Sequence, residues 1–215
     1  MATTDVSLHA ESRQPEPKPV VNNMSIQVAT VNGSGSQSSN TVLLRSIFQM
    51  GVPVSGKNLF PSNIAGLPTW YTIRANKDGY IARKKEIDFV VAMNAETAQE
   101  DVMSLASGAA VLYDEPLNLS SLRSDLVFYA VPYDKLVAPV CPEAKLRKLV
   151  KNMIYVGVVA KLLEIDLAEV EKAIRKQFAK KVKAATLNLA AVKAGYDYAA
   201  ANLVKRDPYF IQRMD

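Results

Sequence analysis

Three features of the 215-residue sequence could carry chemistry: a glycine/serine loop, one cysteine and one histidine. The loop reads VNGSGSQSSN, from Val31 to Asn40, and lies between a strand-like apolar run and a helix-like one. Its spacing, Gly33-x-Gly35-x-x-Ser38, approaches a dinucleotide fingerprint but lacks the third glycine that allows close helix–strand packing. That fingerprint also needs an acid about twenty residues on for the ribose. No Asp or Glu occurs from Pro17 through Lys77, which disfavours NAD. A phosphate loop of the Walker A type ends in Gly-Lys-Ser/Thr, and that is absent too. Backbone N–H groups and serine hydroxyls at a helix N-terminus remain, a generic place for an anion. The plain alternative is that Gly33 and Gly35 only permit a tight turn between strand and helix.

The other two features exclude more than they offer. With Cys141 as the single cysteine and His9 as the single histidine, no intrachain disulfide, Cys/His zinc site or iron–sulfur cluster can be built from this chain. His9 falls in a Ser-, Pro-, Glu- and Lys-containing N-terminal stretch, so Ser–His–Asp and Cys–His mechanisms lack a base. Cys141 precedes Pro142 at what reads as a helix start, has no neighbouring base, and is taken as structural. The hard chemical step therefore belongs to something other than these side chains.

The elements that must position the loop follow from periodicity. Ser25 to Val31 reads as a buried strand, and the run from Thr41 places Val42, Leu43, Ile47 and Met50 on one helical face with Gly51 as the cap. Strand, glycine turn and helix open a Rossmann-like βαβ unit, with VPVSGKNLF returning as the next strand. Trp70–Ala75 and Tyr80–Ala82 around Asp78-Gly79 predict a hairpin. Ile87–Met93, Ala109–Glu115 and Asp125–Val131 are apolar strands, and Glu96–Ala106 is a helix with acids in its first turn. Asn58 to Tyr71 reads as a loop between strands. Its two asparagines, two prolines, glycine and the single tryptophan mark a place where binding sits, or an ordered connection whose Trp70 fills the core.

From Pro142 onward Leu146, Leu149, Val150, Met153, Ile154, Val158 and Leu162 repeat at helical spacing, with Pro142 at the first position. A second helix starts at Asp166, with Glu169 completing a capping box, and an alanine-rich third ends near Lys205. The expected fold class is α/β: a Rossmann-like, mainly parallel sheet with helices on both faces, plus a helical C-terminal extension. The expected division is a disordered tail over 1–23, a core over 24–141 and the helical part of the same domain over 142–215. The net charge is +5, and Pro142–Ala184 holds 11 Lys and Arg against 5 Asp and Glu. Interleaved glutamates and the lack of a recognised motif read against nucleic acid and for a solvated or subunit-facing surface. No apolar run is long enough to span a bilayer, and no secretory signal is evident, so no membrane role and a cytoplasmic location are expected.

Several separated segments carry a family resemblance. The stretch NGSGSQSSNTVLLRSIFQMGVPVSGKNLFPSNIAGLPTWYTIRANKDGYIARKKEIDFVVAMN, with VLYDEPL, VCPEAKLRKLVKNMIYVGVVAKLL and DPYFIQRMD, resembles the γ domain of 2-oxoacid:ferredoxin oxidoreductases, in particular the form with γ fused in front of α. The resemblance spans Met24 to Asp215. Where many γ domains read Gly-x-Gly-Gly-Gln-Gly, this chain has serines at Ser36 and Ser38, and Ala65-Gly66-Leu67 stands where Arg-Gly-Gly is common.

The resemblance implies a share in CoA-dependent oxidative decarboxylation of a 2-oxoacid such as 2-oxoglutarate or pyruvate, with electrons passed to ferredoxin. It places thiamine diphosphate, Mg and Fe–S clusters on α and β partner subunits of a hetero-oligomer, leaving this chain non-catalytic alone. Coenzyme A enters as co-substrate. Gly33, Ser34, Gly35, Ser36, Gln37 and Ser38 are then the candidate anion-holding turn, and Asn58, Asn63 and Gly66 the candidate contacts from the second loop. A free-standing CoA- or nucleotide-binding regulatory domain is the rival reading, and a purely structural module a third.

Overall fold

The computed structural model describes residues 18–60 and 64–214. His9, Asn63 and the expected tail up to residue 17 lie outside the described residues. Strand β1 (Val20–Val21) and β2 (Asn23–Val31) lead through the glycine loop to helix α1 (Ser36–Gln49). Strands β3 (Val54–Leu59), β4 (Pro68–Asn76) and β5 (Phe89–Ala92) follow, then α2 (Ala98–Met103), β6 (Ala110–Asp114) and β7 (Val127–Val131). Helices α3 (Tyr133–Val140), α4 (Ala144–Leu162), α5 (Leu167–Gln177) and α6 (Val182–Asn202) complete the fold with β8 (Tyr209–Phe210).

The six-stranded sheet has the order β3-β4-β2-β5-β6-β7. The pairs β2–β5, β5–β6 and β6–β7 are parallel, while β4 is antiparallel to both β2 and β3. The expected β2–α1–β3 unit therefore exists with its two strands running the same way, but β4 is inserted between them. The hairpin expected after β4 does not form. Both edges of β4 are already filled by β2 and β3, so Tyr80–Ala82 finds no ladder and runs on as irregular chain past the turn at Gly79. Asn58 and Leu59 prove to be the end of β3, and Pro68–Tyr71 the start of β4, which shortens the expected loop.

The near-continuous apolar strands reflect burial on both faces. Ile26, Val28, Phe89, Val91 and Leu112 join one large core with α1 and α3–α6, whereas Val90, Ala92, Val111 and Tyr113 join a smaller one with α2. Helices thus cover both faces, unequally. Trp70 does not fill the large core: its Nε1–H donates to Asp101 Oδ1 at 2.8 Å, and Thr97 Oγ1 donates to Oδ2 at 2.9 Å. The Trp70 bond ties β4 to α2, whose own N-cap is Thr97. Burial raises the Asp101 carboxyl above its usual range despite both donors.

The C-terminal segment closes over the N-terminal one. β1 and β8 pair in parallel, Val20 with Tyr209 and Val21 with Phe210. Asn22 Nδ2 donates to the Gln212 carbonyl, and Gln212 N donates back to Asn22 Oδ1. The tail boundary at residue 23 thus falls too late, since a strand invisible to periodicity begins at Val20. Helix α3 was not expected either, because Pro139 interrupts its pattern. Cys141 is the C-cap of α3 and Pro142 lies outside both helices, so Cys141 ends a helix rather than starting one. It is 1% exposed.

Asp166 caps α5 as expected, accepting from Ala168 N at 3.0 Å. Glu169 does not complete the box. Its carboxylate is taken by Lys172 and Arg213, and the Asp166 N–H turns to Met50 Sδ. Hydrogen bonds from Arg213 first hold the Asp166 carboxyl below its usual range, and those from Lys172 and then Arg213 do so for Glu169.

Helices α4 and α6 approach until backbone meets backbone. A Cβ at Gly157 would overlap the Val192 carbonyl oxygen, and one at Gly195 the Ile154 carbonyl oxygen. Gly157→Ala or Gly195→Ala is expected to destabilise by about 1–3 kcal/mol, since the obstruction is main chain and cannot rotate away. A denaturant midpoint unchanged in both variants would contradict this. Because the folded pKa values of Asp166 and Glu169 lie below their unfolded ones, their stabilisation is present above the unfolded value of about 4 and is lost as pH falls through the folded values. Arg213→Ala is therefore expected to lower the melting temperature at neutral pH, with the gap to wild type shrinking below about pH 4. A gap that persists undiminished in acid would show that packing, not charge, is what Arg213 supplies.

Candidate functional site

The turn after β2 is built by backbone conformation. Gly33 (φ 83°) and Gly35 (φ 85°) both occupy the left-handed region, where other residues pay a steric cost. Gly35 is the N-cap of α1, so the helix has no side-chain cap and no acid in its first turn. The first N–H groups of a helix have no intrahelical acceptor, and here no carboxylate competes for them. Thr30 at the end of β2 donates through Oγ1 to Ser36 Oγ at 2.9 Å, which orients the first helical hydroxyl.

Over this helix start lies a cleft of about 360 Å³. Its floor and near wall are Thr30, Asn32, Gly33, Gly35, Ser36 and Gln37, with Asn40 one turn along the helix. The far wall comes from the β3–β4 hairpin through Asn58, Phe60, Thr69 and Tyr71, and Leu149 of α4 closes the end. The two loops are stitched together: Asn32 N donates to Leu67 O, Gly66 N to Asn32 O, and Asn32 Nδ2 to Ile64 O at 3.1 Å. Gly56 makes the hairpin wall possible. A Cβ there would overlap the Tyr71 hydroxyl, and burial raises the pKa of that phenol.

Of the residues singled out in sequence, Gly33, Gly35, Ser36, Gln37 and Asn58 line the cleft together. Ser34 does not. It is 8% exposed, and its carbonyl accepts from Asn152 Nδ2 at 2.7 Å, so it anchors the turn to α4. Ser38 faces a neighbouring groove between α1, α4 and α6. Gly66 supports the wall through its N–H to Asn32 without lining the cleft. Asn32 and Asn40 belong to the glycine/serine loop, and Phe60, Thr69 and Tyr71 to the Asn58–Tyr71 segment, though none was named as a contact; Thr30 and Leu149 fall outside both. Thr30 immediately precedes the loop and was within reach of a strand–turn–helix argument; Leu149 was not, because only the fold carries it there.

Among the described residues, the lining contains no carboxylate and no cation. The acid-free stretch from Pro17 to Lys77 thus yields an acid-free cleft, but its five cations do not gather around it. Arg74 is 4% exposed and donates to Asn23 Oδ1 and the Ala75 carbonyl, Arg45 donates to Gln177, and Lys77 pairs with Asp78. What the site can do chemically is hold a polar or anionic group with neutral donors and a helix dipole. No acid–base pair stands in it. No described helix is long and apolar enough to cross a membrane.

Comparison with known proteins bears on this arrangement. Residues 25–198 match the family model described as pyruvate ferredoxin/flavodoxin oxidoreductase. Subunit alpha of 2-oxoacid:ferredoxin oxidoreductase 2 from Aeropyrum pernix is 22% identical over 216 residues, covering 81% of this chain and 33% of that protein. The chain thus spans about a third of that relative's length. Among solved structures, 2-oxoglutarate:ferredoxin oxidoreductase from Magnetococcus marinus, with 2-oxoglutarate, coenzyme A and succinyl-CoA bound, superposes with a TM-score of 0.80 at 24% identity. The match covers 90% of this chain and 34% of that one. Pyruvate oxidoreductase subunit PORC from Thermotoga maritima gives 0.66 at 16% identity, covering 82% of this chain and 96% of that one. The gamma subunit of the keto/oxoacid ferredoxin oxidoreductase from Geobacter sulfurreducens gives 0.64 at 17%, covering 83% and 99%. The sheet order, the glycine turn and a family match over most of the chain converge: this protein belongs to the pyruvate ferredoxin/flavodoxin oxidoreductase family.

Proposed function

We propose that the chain is the γ component of a 2-oxoacid:ferredoxin oxidoreductase, and that the cleft at the start of α1 forms one side of its coenzyme A pocket. α and β partners carry the thiamine diphosphate, which supplies the decarboxylation chemistry, and the Fe–S clusters that pass electrons to ferredoxin. This chain orients and desolvates part of the co-substrate. The observation that carries the reading is the uncapped, acid-free N-terminus of α1, walled by Gln37, Asn58 and Thr69. Neutral hydrogen-bond donors there suit a phosphate or pantetheine amide.

Magnitudes favour a shared pocket over an independent binding domain. A helix N-terminus contributes about 0.3–1 kcal/mol toward an anion, up to ~2 when partly buried. A millimolar complex already needs about 4 kcal/mol. With no Lys or Arg in the lining, the cleft lacks the charge to hold a polyphosphate by itself, and the missing cations fall to the partner. Calorimetry on the isolated chain is therefore expected to give a CoA dissociation constant above about 1 mM. Micromolar binding without partners would establish the rival, a free-standing CoA- or nucleotide-binding regulatory domain.

Gly35→Ala tests the turn directly. The left-handed conformation costs about 1–2 kcal/mol for alanine, and the new methyl would stand 2.8 Å from Leu149 Cδ2. In the assembled enzyme the KM for coenzyme A is expected to rise with kcat little changed, and Leu149→Ala to recover part of the lost stability. Lower stability with an unchanged KM would reduce the loop to a structural turn.

A further inference from the structure

Beside the cleft, across Gly35 and Leu149, an apolar groove of about 840 Å³ runs between α4 and the connection from α5 to α6. Its walls are chiefly Leu146, Val150, Met153, Phe178, Val182 and Leu187. Leu149 and Val182 stand 47% and 76% exposed, and contiguous exposed apolar surface of this kind marks interaction sites.

The charges around the groove point the same way. Lys145 and Lys148 sit at the start of α4, Lys181 is the N-cap of α6, Lys183 is in its first turn, and Lys180 precedes them. All five are exposed, and none pairs with a carboxylate among the described residues. Glu143, the N-cap of α4, is the one acid among the described residues of the lining. Helix N-termini favour anions, yet neither α4 nor α6 has an acid in its first turn. The α6 dipole with Lys181 and Lys183, the two lysines that line the groove, thus leaves that edge of it positive. A second copy of a chain carrying +5 would be repelled there.

We infer that this groove seats an amphipathic, acidic segment of another polypeptide in the same assembly. Its apolar side chains fill the groove, and its Asp and Glu residues meet Lys181 and Lys183 at the start of α6. The inference rests on the proposed function in taking that polypeptide to be one of the thiamine diphosphate-bearing partners. The fold makes up 34% of one solved chain and 96% and 99% of two separate subunits, so the module occurs both joined to and apart from further protein. Where it stands apart, a non-covalent seat must hold it.

The full chain reconstituted with those partner subunits, monitored by sedimentation and biosensor binding, tests the seat. Val182→Asp and the double variant Lys181→Glu/Lys183→Glu alter exposed side chains, so their melting curves should match wild type. Each is expected to weaken assembly at least about tenfold, and raising salt from about 50 to about 500 mM should weaken wild type far more than the charge-reversed variant. Assembly at wild-type affinity by both variants overturns the inference. So does dimerisation of the isolated chain that Val182→Asp abolishes, or binding to phosphatidylserine vesicles that the double variant abolishes; each names a different occupant. Failure of the proposed function reads differently: the complex forms and the variants weaken it, yet it does not oxidise a 2-oxoacid with coenzyme A.

Discussion

The contact on which the rest of this structure depends is the approach of α4 to α6 at Gly157 and Gly195, where each helix presses into the other's main chain. A glycine inside a helix costs about 1 kcal/mol relative to alanine, so two facing glycines are retained only where proximity returns more. The return is the burial of α4 from Asn152 to Ala160, nearly all around its circumference. A helix held that rigidly can serve as a ruler. From it Leu149 reaches Gly35, Asn152 holds the Ser34 carbonyl, and the Tyr155 hydroxyl donates to Asn40 Oδ1 at 2.7 Å. Three residues of one helix thus fix both the turn and the first two turns of α1. The anion-friendly end of α1 owes its shape to a helix more than a hundred residues away.

The electrostatics divide the same end of the molecule into two regions. The cleft over α1 is neutral and acid-free among the described residues, and its donors are backbone, amide and hydroxyl groups. The groove next to it is apolar and edged with lysines. The division follows the ordering of the chain: the cleft is made from the segment without Asp or Glu, and the groove from the basic third. Gly35 and Leu149 belong to both, so an occupant of one is felt at the wall of the other.

Much of this was written in local sequence. The strand–glycine–helix opening, the apolar strands and the core face of α1 follow from spacing alone, because their periodicities of two and 3.6 residues are set by the backbone. A single cysteine and a single histidine leave this chain without the ligands or bases that whole classes of mechanism need. Four of the nine candidate residues, Gly33, Gly35, Ser36 and Gln37, line one cleft because backbone conformation at Gly33 and Gly35 is a local property, and Asn58 joins them only through the pairing of β3 with β4. Resemblance across separated segments gave the family.

Tertiary structure decided what no local pattern encodes. It placed β4 between β2 and β3 and so denied Tyr80–Ala82 a partner, since pairing depends on which edges are still free. It drew Glu169 away from its capping box toward Arg213, forty-four positions on, and clasped Val20–Val21 to a two-residue strand at the other end of the chain. It buried Arg74 and left the cleft without a cation, although the sequence around the turn is acid-free and basic. Sequence fixes which groups a segment can offer and which backbone angles it tolerates. Distances between groups far apart in the chain are set by packing, and so the site's walls, its charge and its neighbour became visible only in three dimensions.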